Sequence, residues 1–208
     1  MINATDSKGT FYILNKKDRT PIIFIHGVGL DHSIWDPQIN EFDNTVLIYD
    51  ILGHGKTPLN KNDLGFDDFS DQILNLMDEL KFNKVHLVGF SIGSLIARNF
   101  ASRFNDRLAS LTLLCSIFNR SDKEQKIVND RFEQTKKDHK LTKDALKRWF
   151  TEDFLNKNPG ISDKIFNILQ NNNMNNFIKI YSLFVKHQDN EKFENIKTKT
   201  LVITGEGD

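Results

Sequence analysis

The chain has 208 residues, 38% of them hydrophobic and 11% aromatic, a composition that supports one sizeable hydrophobic core. Its 28 basic and 28 acidic residues cancel, which argues against nucleic acid or an anionic membrane as a partner. The single cysteine, Cys115, excludes disulfide scaffolds and cysteine-rich zinc sites within one chain.

Short apolar runs typical of strands recur along the chain. They lie at residues 10–14, 21–25, 45–49, 85–90, 108–114 and 200–204. Between the third and fourth runs, Phe69, Ile73, Leu76, Met77 and Leu80 recur at three- and four-residue spacing, which predicts a helix. This alternation predicts an α/β fold with a doubly wound, mostly parallel sheet.

Two of the predicted strands end in turns rich in glycine and histidine. Residues 26–29 read His-Gly-Val-Gly, and residues 50–57 read Asp-Ile-Leu-Gly-His-Gly-Lys-Thr. The second turn ends in Gly-Lys-Thr, as a phosphate-binding loop does. Such a loop also needs a glycine five positions before the glycine of this triplet, and that position is Asp50. Since a carboxylate there would repel phosphate, nucleotide binding is the weaker alternative, and ATP with magnesium should not stabilise the protein.

The strand at 85–90 enters the pattern G-x-S-x-G and leaves it as a helix. The central residue, Ser91, then lies on a sharp strand-to-helix turn, where the residues two before and two after it must lack bulk. Gly89 and Gly93 meet that requirement. From Ile92 onward, apolar residues recur with helical spacing, so Ser91 is the candidate nucleophile.

These three motifs, in this order and spacing, resemble the α/β-hydrolase superfamily. Nearly the whole chain is similar to its enol-lactonase, esterase and cofactor-free haloperoxidase group. The resemblance implies that Ser91 is the nucleophile, that the backbone N–H groups of Val28 and Ile92 form the oxyanion hole, and that neither metal nor cofactor is used. Ser94, where many members have a second glycine, is small enough to leave this assignment intact.

The last predicted strand and the Gly-Glu-Gly-Asp after it resemble strand seven and the acid turn of the family, which makes Asp208 the candidate acid. In this fold the catalytic histidine follows the acid, but all six histidines precede Asp208: His26, His32, His54, His86, His139 and His187. We expect His26 and His54 to be structural, and an internal base to be the weaker alternative. We therefore expect a chain cut before the final strand, the histidine loop and the last helix, with weak or no activity.

Residues 119–197 differ from the rest, because charges are dense and helical spacing persists without a strand signal. The corresponding insertion of the family is a helical cap over the nucleophile. The predicted division is therefore 1–118 for the first part of the core, 119–197 for the cap and 198–208 for strand seven and the acid turn. We expect most cap aromatics to form its interior, and the asparagine-rich residues 170–176 to form a turn.

The resemblance implies cleavage of a carboxylic ester, lactone or related acyl bond through an acyl-enzyme on Ser91, with a small-molecule substrate. There is no H-E-x-x-H motif, which argues against a metal hydrolase. No apolar run approaches the roughly 20 residues of a membrane span, and a cytoplasmic location is expected. The alternative is a non-catalytic protein that binds a ligand under its cap, because a serine without a base is a weak nucleophile.

Overall fold

The computed structural model describes residues 1–189 and 193–206, apart from the side chain at position 144. The strands of this part are β1 Ile2–Thr5, β2 Phe11–Asn15, β3 Arg19–Ile25, β4 Asn44–Tyr49, β5 Val85–Phe90, β6 Leu108–Leu114 and β7 Thr200–Ile203. The α-helices are α1 Phe66–Glu79, α2 Ile92–Arg103, α3 Asp122–Asp138, α4 Asp144–Trp149, α5 Glu152–Lys157, α6 Pro159–Gln170 and α7 Met174–Lys186. None of the described helices is both long enough and apolar enough to cross a bilayer.

The strands form one sheet in the order β1-β2-β4-β3-β5-β6-β7. The pairs β1/β2 and β2/β4 are antiparallel, and the four remaining pairs are parallel. The predicted mostly parallel α/β sheet is thus confirmed, and all six predicted strands are present. β1 was not predicted, because its short, largely exposed sequence carries no strand pattern.

The direction in which strands are added reverses between β3 and β5. From β3 the chain moves to β4 on one side, and from β5 it moves to β6 on the other. Ile25 of β3 pairs with Gly89, and Phe90 pairs with Leu114 of β6, so the carboxyl ends of these three strands lie side by side. Such a reversal opens a crevice at the carboxyl edge, where α/β proteins bind ligands.

Alternation along the strands assigns side chains to the two faces of the sheet. Ile23 and Ile25 face α1 and α2 in the larger hydrophobic core, and the predicted α1 stripe is buried there up to Met77. Ile22 and Phe24 face the other side, where Trp35 of a short 3-10 helix covers them. The sheet is therefore covered by helices α1 and α2 on one face and by the segment after β3 on the other.

The five helices α3 to α7 lie between β6 and β7 and form the helical insertion. A turn in the asparagine-rich segment separates α6 from α7, as predicted. Asn172 of this turn donates its side-chain N–H to the carbonyl of Gly29 at 2.8 Å. From α6, Lys164 reaches the carbonyl of Ser33 at 2.7 Å and the Asp36 carboxylate at 2.8 Å. The insertion thus rests on the loop that follows β3.

Candidate active site

Ser91 lies at the turn between β5 and α2 with φ 56° and ψ −120°. This backbone conformation is rare for any residue other than glycine and costs about 1–3 kcal/mol unless its surroundings enforce it. Those surroundings are present: Ser91 N–H donates to the Leu114 carbonyl at 3.0 Å. The Ser91 carbonyl in turn accepts from the N–H of Ser94 at 2.9 Å and from its hydroxyl at 2.5 Å.

The two glycines around Ser91 are enforced by close backbone contacts. A Cβ on Gly89 would lie 2.2 Å from the Gly93 carbonyl oxygen, and a Cβ on Gly93 would lie 2.6 Å from the Ile25 carbonyl oxygen. Backbone atoms of a packed sheet cannot move aside by that much. Ser94, by contrast, is fully buried without displacing the turn. The motif is therefore a requirement of local packing.

The predicted oxyanion donors come from two neighbouring elements. Val28 lies in the turn after β3 and lines the same cavity as Ser91, whereas Ile92 is the first residue of α2. An N–H at the first position of a helix has no partner within that helix, and the helix dipole is positive there. Within the described residues, the Val28 N–H makes no hydrogen bond. Ile92 directly follows Ser91 and Val28 borders the same cavity, and their role as oxyanion donors stays a prediction.

His26 and His54 hold the turns after β3 and β4 together, as the sequence analysis expected. Ring Nε2 of His26 accepts the Ile51 N–H at 3.1 Å, and ring Nε2 of His54 accepts the Gly29 N–H at 2.8 Å. An accepting Nε2 requires the neutral ring. Burial lowers the pKa of both rings, that of His54 to about 3, so both are neutral near pH 7.

Asp50, at the end of β4, is fully buried and anchors the same turns. Its carboxylate accepts from the N–H groups of His32 and Lys56 at 2.8 Å and from ring Nδ1 of His32 at 2.7 Å. Burial alone would raise the pKa of Asp50, but the bonds from His32 outweigh it and lower that pKa. The carboxylate fills the space beside Gly55 where a phosphate-binding loop would hold phosphate. Asp31 lies close enough for a shared metal ion, yet its carboxylate is bonded to Ser33.

A cavity of about 450 Å³ opens above Ser91. Its floor comes from the core and its roof from the helical insertion. The floor is formed by Gly27, Val28, Leu30, Phe90 and Ser91. Aromatic side chains of the roof are Trp149, Phe177, Tyr181 and Phe184. These four aromatic side chains border the cavity, and the expectation that most aromatics of this segment form its interior stays a prediction.

Among the described residues, no hydrogen bond joins a histidine to Ser91. His26, His32 and His54 are engaged in the turns described above, and His86 on β5 bonds the Ser110 hydroxyl at 2.7 Å. His139 ends α3 on the surface, and His187 packs against Phe66 and lies 3.4 Å from Asp189. In the described part of the chain, no histidine contacts the Ser91 hydroxyl. Asp208, the predicted acid, lies outside the described residues.

A buried arginine on α2 joins the core to both ends of the helical insertion, a feature that the sequence analysis missed. The side chain of Arg98 is 3% exposed and pairs with Asp189, which follows α7 and is 16% exposed. Arg98 also donates to the Ile117 carbonyl at 2.6 Å, and Asp189 accepts the Asn119 N–H at 2.8 Å. We call these four residues the neck.

The chain is similar to known hydrolases over nearly its whole length. Residues 20–208 match the family described as alpha/beta hydrolase fold. An (E)-2-((N-methylformamido)methylene)succinate hydrolase of Acinetobacter baylyi is 28% identical over 96% of this chain and 76% of its own length. A 3-oxoadipate enol-lactonase of the same organism is 26% identical over 100% of this chain and 79% of its own.

Solved structures show the same architecture. An enol-lactonase from Burkholderia xenovorans superposes with a TM-score of 0.83, at 24% identity over 99% of this chain and 81% of that one. An esterase from Exiguobacterium antarcticum superposes with a TM-score of 0.80, at 18% identity over 99% and 81%. At these identities the structural likeness concerns the fold.

Proposed function

This chain belongs to the α/β-hydrolase fold family, and from that premise we propose that it is a serine hydrolase of carboxylic esters or lactones. The observation that carries the proposal is the strained Ser91, which is held between two obligatory glycines on the floor of a cavity. A fold stores backbone strain of this kind where chemistry uses it. The names of similar proteins, a succinate-derivative hydrolase and an enol-lactonase, support the same reaction class.

The proposed reaction proceeds through an acyl-enzyme. The Ser91 oxygen adds to the substrate carbonyl carbon while a base accepts the serine proton. The resulting oxyanion would be bound by the backbone N–H groups of Val28 and Ile92, and each such donor is worth about a hundred- to a thousand-fold in rate. The bond to the leaving alcohol then breaks, and the alcohol takes the proton from the base. Water hydrolyses the acyl-serine and regenerates Ser91.

Within the described residues no histidine hydrogen-bonds Ser91, so the base of the proposed reaction is not assigned to a residue. Asp208 keeps its proposed role as the acid, which would orient an imidazole and stabilise its protonated form. Because none of the six histidines contacts Ser91, we expect the 208-residue chain to turn over p-nitrophenyl acetate weakly at best. The proposed helical cap, formed by the insertion, would shape the pocket for the acyl or alcohol group.

Labelling with a fluorophosphonate probe tests the proposed nucleophile without requiring turnover. We expect slow, stoichiometric labelling that Ser91→Ala abolishes and Ser102→Ala, a change on the same helix, leaves intact. Added imidazole should accelerate p-nitrophenol release from p-nitrophenyl acetate in the wild type, since it supplies a base. Labelling that persists in Ser91→Ala, or equal imidazole effects in both proteins, would contradict the proposal.

A second candidate function is non-catalytic ligand binding, which the positions of the six histidines favour. In that case an ester should bind without being cleaved. Isothermal titration with methyl valerate, followed by analysis of the recovered ligand, distinguishes the two. Intact ester, no probe labelling and no effect of imidazole would favour the binding function. Recovery of valerate that depends on Ser91 would exclude it.

A further inference from the structure

The carbonyl oxygen of Ser91 accepts two hydrogen bonds from one residue. Ser94, on the first turn of α2, donates its backbone N–H at 2.9 Å and its side-chain hydroxyl at 2.5 Å. Every residue other than proline has the backbone N–H, so that bond does not depend on serine. The second bond does depend on it, because it comes from the hydroxyl.

This carbonyl belongs to the same peptide unit as the Ile92 N–H. A peptide is planar and trans, so its C=O and N–H groups point in opposite directions, and a contact that fixes one also fixes the other. The direction of this peptide plane follows from the ψ of Ser91, −120°, in a backbone conformation that is rare for a residue with a side chain. The two bonds from Ser94 therefore also hold the Ile92 N–H, which points toward the N-terminal end of α2.

The Ser94 hydroxyl lies where α2 is in close contact with β5. Ser94 is fully buried, and its Cα would lie 2.8 Å from a Cβ at position 89. In such surroundings a hydrogen bond is stronger than in water, and a bond to the carbonyl of a peptide strengthens the N–H of that peptide as a donor. The hydroxyl thus affects both the direction and the strength of the Ile92 N–H.

We propose that Ser94 is a positioning residue for the oxyanion hole, whose hydroxyl orients and polarises the Ser91–Ile92 peptide. This inference rests on the proposed function and adds to it a residue that is not part of the cavity lining. The Ile92 N–H would bind a negative charge that forms only in the transition state. Loss of the hydroxyl should therefore lower the rate of acylation more than the affinity for the ester.

Two variants that lack the hydroxyl separate this role from a role in stability. Ser94→Ala favours the helix and Ser94→Gly disfavours it, whereas neither adds bulk to the buried position. The matched control is Ser70→Ala. Ser70 of α1 is also fully buried, and its hydroxyl donates at 2.5 Å to the side-chain oxygen of Asn99, two turns of α2 beyond Ser91. Urea unfolding followed by circular dichroism shows that each variant is folded.

The test compares two esters that differ in the atom on which the negative charge develops. These are p-nitrophenyl acetate and its thiono analogue, in which sulfur, a weak hydrogen-bond acceptor, replaces the carbonyl oxygen. In both reactions the Ser91 oxygen adds to the acyl carbon, its proton passes to added imidazole, and the bond to p-nitrophenolate breaks. The rate of p-nitrophenol release is measured for each ester, and the rate of Ser91→Ala is subtracted.

We expect both Ser94 variants to cleave the oxygen ester about fivefold more slowly, which is a small part of the hundred- to thousand-fold that one oxyanion donor is worth. The thiono ester should lose much less, so the ratio of the two rates should fall in both variants and stay unchanged in Ser70→Ala. Equal losses for the two esters, or no loss for either, would overturn the inference and leave the hydrolase proposal intact. If the wild type cleaves neither ester faster than Ser91→Ala does, both proposals fall.

Discussion

Replacement of Asp189 by alanine should destabilise the fold strongly, because it removes a carboxylate that pairs with the buried Arg98 guanidinium. The side chain of Arg98 is 3% exposed and that of Asp189 is 16% exposed, so this pair is much less accessible to water than an ordinary surface ion pair. Removal of one partner of a buried pair costs about 3–5 kcal/mol. Since Asp189 keeps some contact with water, we expect about 3 kcal/mol. The Asn119 N–H also loses its acceptor, which adds to the loss.

Urea unfolding followed by circular dichroism measures this cost. With an m-value of about 2 kcal/mol per molar, the unfolding midpoint should fall by about 1.5 M. Arg98→Met and the double variant complete a double-mutant cycle, in which we expect a coupling of about 2 kcal/mol or more. The matched control is the more exposed pair Arg103 and Asp71. Its arginine lies on α2, as Arg98 does, and its guanidinium is 2.8 Å from the Asp71 carboxylate. Its coupling should stay below about 1 kcal/mol.

The pH dependence gives a second check of the same reasoning. Burial would raise the pKa of Asp189, but the hydrogen bonds from Arg98 and the Asn119 N–H outweigh it and lower that pKa. The pair therefore contributes its full stability above the ordinary pKa of 3.8 and loses it as the pH falls through the lower folded value. A cost below about 1 kcal/mol at pH 7, or a coupling no larger than that of the exposed control pair, would refute the argument.

Two further predictions concern the turns around Ser91. Gly89→Ala should cost about 3 kcal/mol or more and abolish probe labelling, because its Cβ meets backbone at 2.2 Å. The control is Gly160→Ala on α6, where no atom lies within 4 Å of the added Cβ, and it should raise the free energy of unfolding by about 0.5–1 kcal/mol. Similar urea midpoints for the two variants would contradict the packing argument. Burial would lower the pKa of His32, but the bond to Asp50 outweighs it and raises that pKa. The ion pair of His32 with Asp50 therefore contributes its full stability below the ordinary pKa of about 6.5, and this stability is lost as the pH rises through the higher pKa of folded His32. The difference in free energy of unfolding between wild type and His32→Gln should thus become smaller from pH 6 to pH 9.

The parts of the fold that the sequence predicted are those that depend on neighbouring residues. The glycines at 89 and 93 follow from the space available at one turn, and the α1 stripe follows from helical periodicity. β1 was missed because Ile2–Thr5 exists as a strand only through its pairing with β2, a contact that no local pattern records.

The parts that sequence reasoning missed depend on distant contacts. Arg98 and Asp189 are 91 positions apart, and nothing in the periodicity of α2 distinguishes a buried arginine from an exposed one. Similarly, the spacing of Phe177 and Tyr181 predicted an apolar helical face, but the same pattern fits a face against another helix or against a cavity. The roles of Val28, Ile92 and Asp208 remain predictions.

The neck fixes the entry and the exit of the helical insertion at one point of the core. Its entry at Ile117 and Asn119 and its exit at Asp189 are tied to one guanidinium group, whereas β6 and β7 pair directly in the sheet. A different helical segment grafted onto this core would need the same backbone groups after β6, a carboxylate on its return, and replacements for the contacts of Asn172 and Lys164 with the loop after β3. The roof of the cavity can then vary in length, charge and shape while the turn that presents Ser91 stays unchanged. Such a division lets new ligand preferences arise without refolding the sheet.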